Sequence, residues 1–219
     1  MGAAIGSRES LDAEFPMAVP SHNTPHLSLP GLAPEDASPA AAAIMQATQE
    51  KLGMIPNMYR TMAQLPALLT TYADGYSRFR AEGGFTAQEQ EVVLLTISRT
   101  NECTYCVAAH SMLAAGPQRV PRDIVHAIRL GGNGTDPKLG ALAAFTRVMV
   151  QLRGHPSPSD LAGFLAAGFT EHHVLAILLA ISVKTISNYS NHLFHTPVDA
   201  AFAEWTWVPP VAQATPSAA

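Results

Sequence analysis

The sequence predicts an all-α protein, and three observations carry that expectation. Capped helical segments follow one another along most of the chain, glycines and prolines punctuate them, and no stretch shows strand alternation bounded by hairpin signals. At 219 residues, with 47% hydrophobic and 14% charged residues, the chain is long enough for one well-cored domain. So few charges also leave apolar surface for packing against copies of itself.

The elements read in order as follows. Residues 1–34 are rich in Pro, Ser and small side chains and lack a sustained period, so they are expected to form an extended arm or tail ahead of a helical domain over 35–219. The segment "SPAAAAIMQATQEKLG" has Ser38 as N-cap, Pro39 at the first position and Gly53 as its stop. "PALLTTYADGYSRFRAEGG" ends at a glycine pair, and "FTAQEQEVVLLTISRT" opens with Thr86 and Glu89 in capping-box spacing. A helix is expected from Thr104 to Ala115, with Thr100 or Asn101 capping its start and Gly116 closing it. Further helices start at Pro121, at the Asp136–Pro137 pair and at Ser157–Pro158. The last and most apolar, "TEHHVLAILLAISVKTISNYSNHLFH", is closed by Pro197.

An 84-residue shift aligns "TAQEQEVVLLTISRTNECTYC" with "TEHHVLAILLAISVKTISNYS", setting Cys103 on Ser187 and Cys106 on Ser190. Two readings stand: chance agreement of two capped apolar helices, or a duplicated helical hairpin whose second copy has lost its thiols.

Several function classes fall away on bulk properties. Net charge is −4 and the 13 basic residues are scattered, which leaves no phosphate-backbone footprint, so no nucleic-acid partner is expected. The stretch "MGAAIGSRESLDAEF" lacks the apolar core of a secretion signal, and the run Val174–Val183 is too short to cross a bilayer. A cytoplasmic protein without a membrane partner is the expectation.

Chemistry concentrates in "NECTYCVAAH", residues 101–110, which holds the chain's two cysteines. Cys103, Cys106 and His110 fall at i, i+3 and i+7, one stripe at the start of a predicted helix. There the unpaired N–H groups and the macrodipole favour a thiolate. Glu91, on the preceding helix among apolar neighbours, would be costly unless paired, and a histidine suits it. Glu91 and His110 together would form a proton relay to a thiol. Three readings remain open on the residues alone: a redox dithiol, a zinc site built from Cys103, Cys106, His110 and Glu91, and an inert buried pair. A thioredoxin-type dithiol does not fit, because that motif follows a strand. His172, His173, His192 and His195 have no cysteine nearby in sequence, and Tyr105 reads as a packing aromatic.

The pattern E-x₁₁-C-x-x-C-x-x-x-H, from Glu91 through Cys103 and Cys106 to His110, resembles the core of alkylhydroperoxidase AhpD, within the carboxymuconolactone decarboxylase superfamily. The flanks "LGMIPNMYRTMAQLPALL" and "KTISNYSNHLFHTPVDAAF" are similar to its peroxidase-related branch, so the resemblance covers about residues 45–205. It implies an AhpD-like helical bundle assembling as a trimer or hexamer. It also implies an antioxidant dithiol peroxidase cycle on a small hydroperoxide, with no bound cofactor. Cys106 would be the peroxidatic cysteine, Cys103 the resolving one, His110 the proton-transfer group and Glu91 its acid–base partner. An external dithiol reductant protein, lipoyl-type in the family's best-known members, would reset the disulfide. Tyr105 stands where AhpD has a histidine that assists the relay, which makes it a candidate supporting residue. Two alternatives are a decarboxylase-type acid–base lyase and a non-enzymatic redox-sensing oligomer. By helical phase, a substrate pocket is expected around Leu94, Ile97 and Ala109.

Overall fold

The computed structural model describes residues 25–210 and is all-helical, with no strand among the described residues. The element order is α1 Pro39–Leu52, α2 Asn57–Met62, α3 Pro66–Glu82, α4 Ala87–Thr100, α5 Thr104–Ala115, α6 Arg122–Arg129, α7 Pro137–Gln151, α8 Pro158–Ala166 and α9 Glu171–Phe194. Short 3-10 turns, Pro34–Asp36 and Ala200–Trp205, flank this set.

The caps follow the sequence signals closely. Ser38 accepts from the Ala41 N–H, and Gly53 closes α1 in the left-handed region at φ 75°. Thr86 and Glu89 form a reciprocal box, with the Thr86 N–H donating to Glu89 Oε2 at 2.8 Å. Asp136 caps α7 and Ser157 caps α8. Of the expected arm, residues 1–24 lie outside the described residues. The part that is described is tied down: the His26 N–H donates to the Leu193 carbonyl and the Leu32 N–H to the Arg60 carbonyl.

α4 is the central element. It packs against α5, α6, α7 and α9, and every side chain from Glu89 to Ser98 is buried. One apolar cluster gathers around α4, α6, α7 and α8 (Leu94, Ile128, Leu142, Phe145, Phe164). A second gathers α1, α2 and α3 around the start of α5 (Met45, Met62, Leu69, Tyr72, Cys103, Cys106). α9 lies between them, with Ile177 and Ala180 in the first and Val183 in the second.

Two expectations change here. The second half of the 84-residue echo is not a hairpin, because α9 runs unbroken for 24 residues. The break between α4 and α5 needs Glu102 at φ 55°, and the aligned "KTISNYS" continues as helix instead. The cap of α5 is Cys103 itself, in extended conformation, whereas Asn101 ends α4 and donates from Nδ2 to Asn188 Oδ1 at 2.9 Å. α9 is long and apolar enough by length and composition to cross a bilayer. In this fold its polar residues Lys184, Ser187, Asn188 and Asn191 are buried against the neighbouring helices.

Candidate active site

The dithiol sits where three helices meet. The kink at Glu102 turns the chain out of α4 and brings Cys103 to the head of α5, one turn from Cys106. Both thiols are free and sealed from solvent, at 0% and 2% exposure. Asn191 of α9 donates from Nδ2 toward Cys106 Sγ at 3.3 Å and toward Cys103 Sγ at 3.8 Å. Ser187 Oγ lies 3.9 Å from Cys106 Sγ, and Met58 of α2 closes the same space, with its Sδ 3.3 Å from Asn191 Nδ2.

Glu91 and His110 come together as the sequence predicts. His110 Nδ1 is 2.9 Å from Glu91 Oε2, and both side chains are buried. The second carboxylate oxygen, Oε1, accepts from Arg80 Nη2, and the same guanidinium nitrogen bonds the Tyr76 hydroxyl. Burial acts to raise the Glu91 carboxyl, but the His110 and Arg80 partners outweigh it and hold the group below its ordinary range. An ionised Glu91 fixes the proton on Nδ1 of His110 and leaves Nε2 as the basic nitrogen. Burial, together with the charge of Lys184, pushes His110 down from its ordinary value, against the pull of Glu91. No hydrogen bond joins His110 to either sulfur, so the stripe brings them close without completing the last link.

The two thiols are driven apart. Burial and the neighbouring Cys106 sulfur push Cys103 up. Burial also opposes ionisation of Cys106, but hydrogen bonding from Cys103 and the charge of Lys184 win, and its thiol is lowered well below the usual range. Negative charge is therefore better tolerated on Cys106 than on Cys103.

Tyr105 does not enter this chain of contacts. Its hydroxyl donates to Asp199 Oδ2, and Asp199 also accepts from the Asn57 N–H at the start of α2. These bonds tie the first turn of α5 to Asp199 and the start of α2. Leu94 and Ile97 do not line the thiol pocket: both are fully buried in the other apolar cluster, because the face of α4 that carries them turns toward α6 and α7. Ala109 packs against the thiol-bearing cluster, as expected. The zinc set is not assembled: among the described residues, no three His, Cys, Asp or Glu side chains converge closely enough to hold a metal ion.

Arg80, Lys184, Ser187 and Asn191 were not legible from the cysteine motif. A signal did exist for the last three. Within an otherwise apolar helix, positions 184, 187, 188 and 191 fall at i, i+3, i+4 and i+7, so they share one polar face.

A helical fold encloses a thiol pair beside a Glu–His dyad, and comparison with known proteins shows what this arrangement is similar to. Residues 63–147 match the family model described as the Carboxymuconolactone decarboxylase family. Among solved structures, the chain is similar to the alkylhydroperoxidase AhpD core of an uncharacterized peroxidase-related protein from Ralstonia eutropha JMP134, with 21% identity and a TM-score of 0.72 over 83% of this chain and 97% of that one. A peroxidase-related protein from Silicibacter sp. TM1040 follows at 19% identity and 0.69, covering 85% and 97%. The debrominase Bmp8, as a cysteine-to-alanine variant in complex with 2,3,4-tribromopyrrole, stands at 17% and 0.67, covering 81% and 95%. No curated protein matches significantly. The fold is thus like that of these AhpD-like helical proteins, and residues 63–147 resemble the Carboxymuconolactone decarboxylase family. The matched segment contains Arg80, Glu91, Cys103, Cys106 and His110 and ends before α9.

Proposed function

We propose that the protein is a thiol-dependent hydroperoxide reductase running a Cys103–Cys106 dithiol–disulfide cycle, with Glu91 and His110 as its proton relay. The family match and the peroxidase-related neighbours support a peroxidase-like or decarboxylase-family function at the coarser level. The observation that carries the finer reading is the pair of free thiols one helical turn apart, both reached by Asn191 and set beside the Glu91–His110 dyad, whose surroundings split them by favouring charge on Cys106 and opposing it on Cys103. That split suits one attacker and one resolver, whereas acid–base lyase chemistry would have no use for it.

In this scheme the Cys106 thiolate attacks the terminal peroxide oxygen, the O–O bond breaks, and an alcohol leaves after taking a proton. Sulfur is oxidised by two electrons to sulfenic acid. Cys103 then displaces the hydroxyl as water, forming the disulfide. An external dithiol, of lipoyl type or another class, returns the two electrons by exchange. The reading also carries an assembly of copies, supported by the exposed Leu175, Leu178, Tyr189 and Leu193, which lie along one outer face of α9. Light scattering of the full chain tests it, and a monomer at working concentration would remove it.

The deciding experiment counts free thiols in reduced protein before and after one equivalent of an organic hydroperoxide, with Cys106→Ser and Cys103→Ser alongside. The expected result is loss of both thiols in the wild type, none in Cys106→Ser, and a trappable sulfenic acid in Cys103→Ser. Survival of both wild-type thiols would overturn the reading.

A further inference from the structure

Resting on that dithiol reading, we infer that Lys184 is the cation that holds Cys106 as a thiolate and that supplies the proton to the departing alcohol. Lys184 is fully buried in the middle of α9, and its Nζ makes no hydrogen bond. It lies on the same helix face as Ser187 and Asn191, one and two turns before them, and those two residues reach the Cys106 sulfur. An unpaired ammonium in a protein interior costs several kcal/mol, so a lysine in this position needs an anion.

The titratable groups around the thiol site leave one candidate. α3 contributes Tyr72, Tyr76 and Arg80; α4 contributes Glu91; the α5 segment contributes Cys103, Tyr105 and His110; α9 adds His192. Glu91 is the carboxylate among them, and both of its oxygens are already taken, by Arg80 and His110. Asp199 is held by Tyr105 and the α2 N-terminus, and Glu89 by Lys138. The buried phenols stay protonated, with Tyr76 raised to about 12 by burial and Tyr72 raised further. Cys106 remains. The charge of Lys184 acts on both Cys106 and His110, lowering each.

The proton balance closes inside the site. The cycle starts from Lys184 as the ammonium beside the Cys106 thiolate. When the thiolate attacks and the O–O bond breaks, the alkoxide takes that proton from Nζ. The products are Cys106 sulfenic acid, the alcohol and neutral Lys184. His110, kept neutral, is then free to accept the Cys103 proton as the disulfide forms. Lys184 lies outside the family-matched segment, so this charge is supplied by α9 and not by the cysteine motif.

The test reads the thiolate without any peroxide. Absorbance at 240 nm is followed against pH for fully reduced wild type, Lys184→Met and Lys184→Arg, each corrected by its Cys106→Ser counterpart. Lys184→Met keeps side-chain length, and because the thiol left behind can reprotonate, the variant is expected to stay folded with a thermal midpoint at or below that of the wild type. Its Cys106 titration midpoint is expected to rise by about 1–3 pH units, with Lys184→Arg restoring part of the shift. Lys184→Gln, polar and uncharged, is run beside it so that the result does not hinge on one variant's folding. Superimposable titrations for wild type, Lys184→Met and Lys184→Gln would overturn the inference. So would a wild-type Cys106 with no thiolate signal below the ordinary thiol range. A low wild-type midpoint that Lys184→Met abolishes supports it whether or not peroxide is consumed, and failure to consume peroxide counts against the hydroperoxide reading alone.

Discussion

Asn191 Nδ2 stands 3.3 Å from the sulfur of Cys106 and 3.8 Å from that of Cys103, so one amide near the end of α9 serves both thiols. A donor placed there stabilises whichever sulfur carries charge. Asn191→Asp exchanges the donor for a carboxylate of the same shape and should raise the Cys106 midpoint by about one unit or more. The matching kinetic outcome is a roughly tenfold slower loss of free thiol with hydroperoxide at neutral pH, read by stopped-time thiol counting.

Glu91→Gln leaves Arg80 without its buried anion and weakens the hold on His110. Removing one partner of a buried pair costs about 3 kcal/mol, less here for the part of Arg80 that reaches solvent, and should appear as a lower urea midpoint. The pH dependence has a definite sign. Glu91 and His110 both have folded-state pKa values below their unfolded ones, 4.5 and 6.5, so each contributes stability that is fully present above its unfolded value and lost as pH falls. Wild-type stability should therefore start to fall below about pH 6.5 and fall faster below about 4.5. In Glu91→Gln the second phase should shrink, which denaturant titrations at pH 4, 5 and 7 would detect.

Tyr105→Phe removes the bond to Asp199 without touching the sulfurs. A loss of about 1–2 kcal/mol is expected in urea unfolding, with the Cys106 titration midpoint unchanged. A large shift in that midpoint would instead put Tyr105 in the relay.

Gly75 of α3 lies so close to α9 that an added Cβ would sit 2.8 Å from Val183 Cγ2. Gly75→Val forces the two helices apart beside Lys184, at a cost of about 1–3 kcal/mol. Hydroperoxide consumption should fall more than twofold although the substituted residue lies outside the site. An unchanged rate would mean that the pocket tolerates movement of α9.

Much of this architecture is legible in local sequence, because caps and stops act within four residues. Ser38, Thr86, Asp136 and Ser157 mark their helices by side-chain bonds to nearby N–H groups, and Gly53 marks its stop by a positive φ. The six-residue α2 is too short to show a period, and it is capped from far along the chain by Asp199. The buried pair Glu91–His110 is readable because a carboxylate amid apolar neighbours needs a partner. Lys184 is harder to read, since a lone lysine in a long helix looks like a solvated position until packing turns it inward. The expected pocket at Leu94 and Ile97 misses because helical phase gives the buried face of α4 but not which neighbour covers it.

The near-complete enclosure of the two sulfurs also acts as a filter on who may take part. With 0% and 2% of Cys103 and Cys106 exposed, no folded protein and no bulky thiol can touch them in this state. In the proposed cycle a small oxidant needs only a narrow opening, whereas a reductant must present its dithiol on a slender arm or wait for the helices to part. Size thus sorts the reactants before any electron moves, and the same seal shields a transient sulfenic acid from a second oxidant.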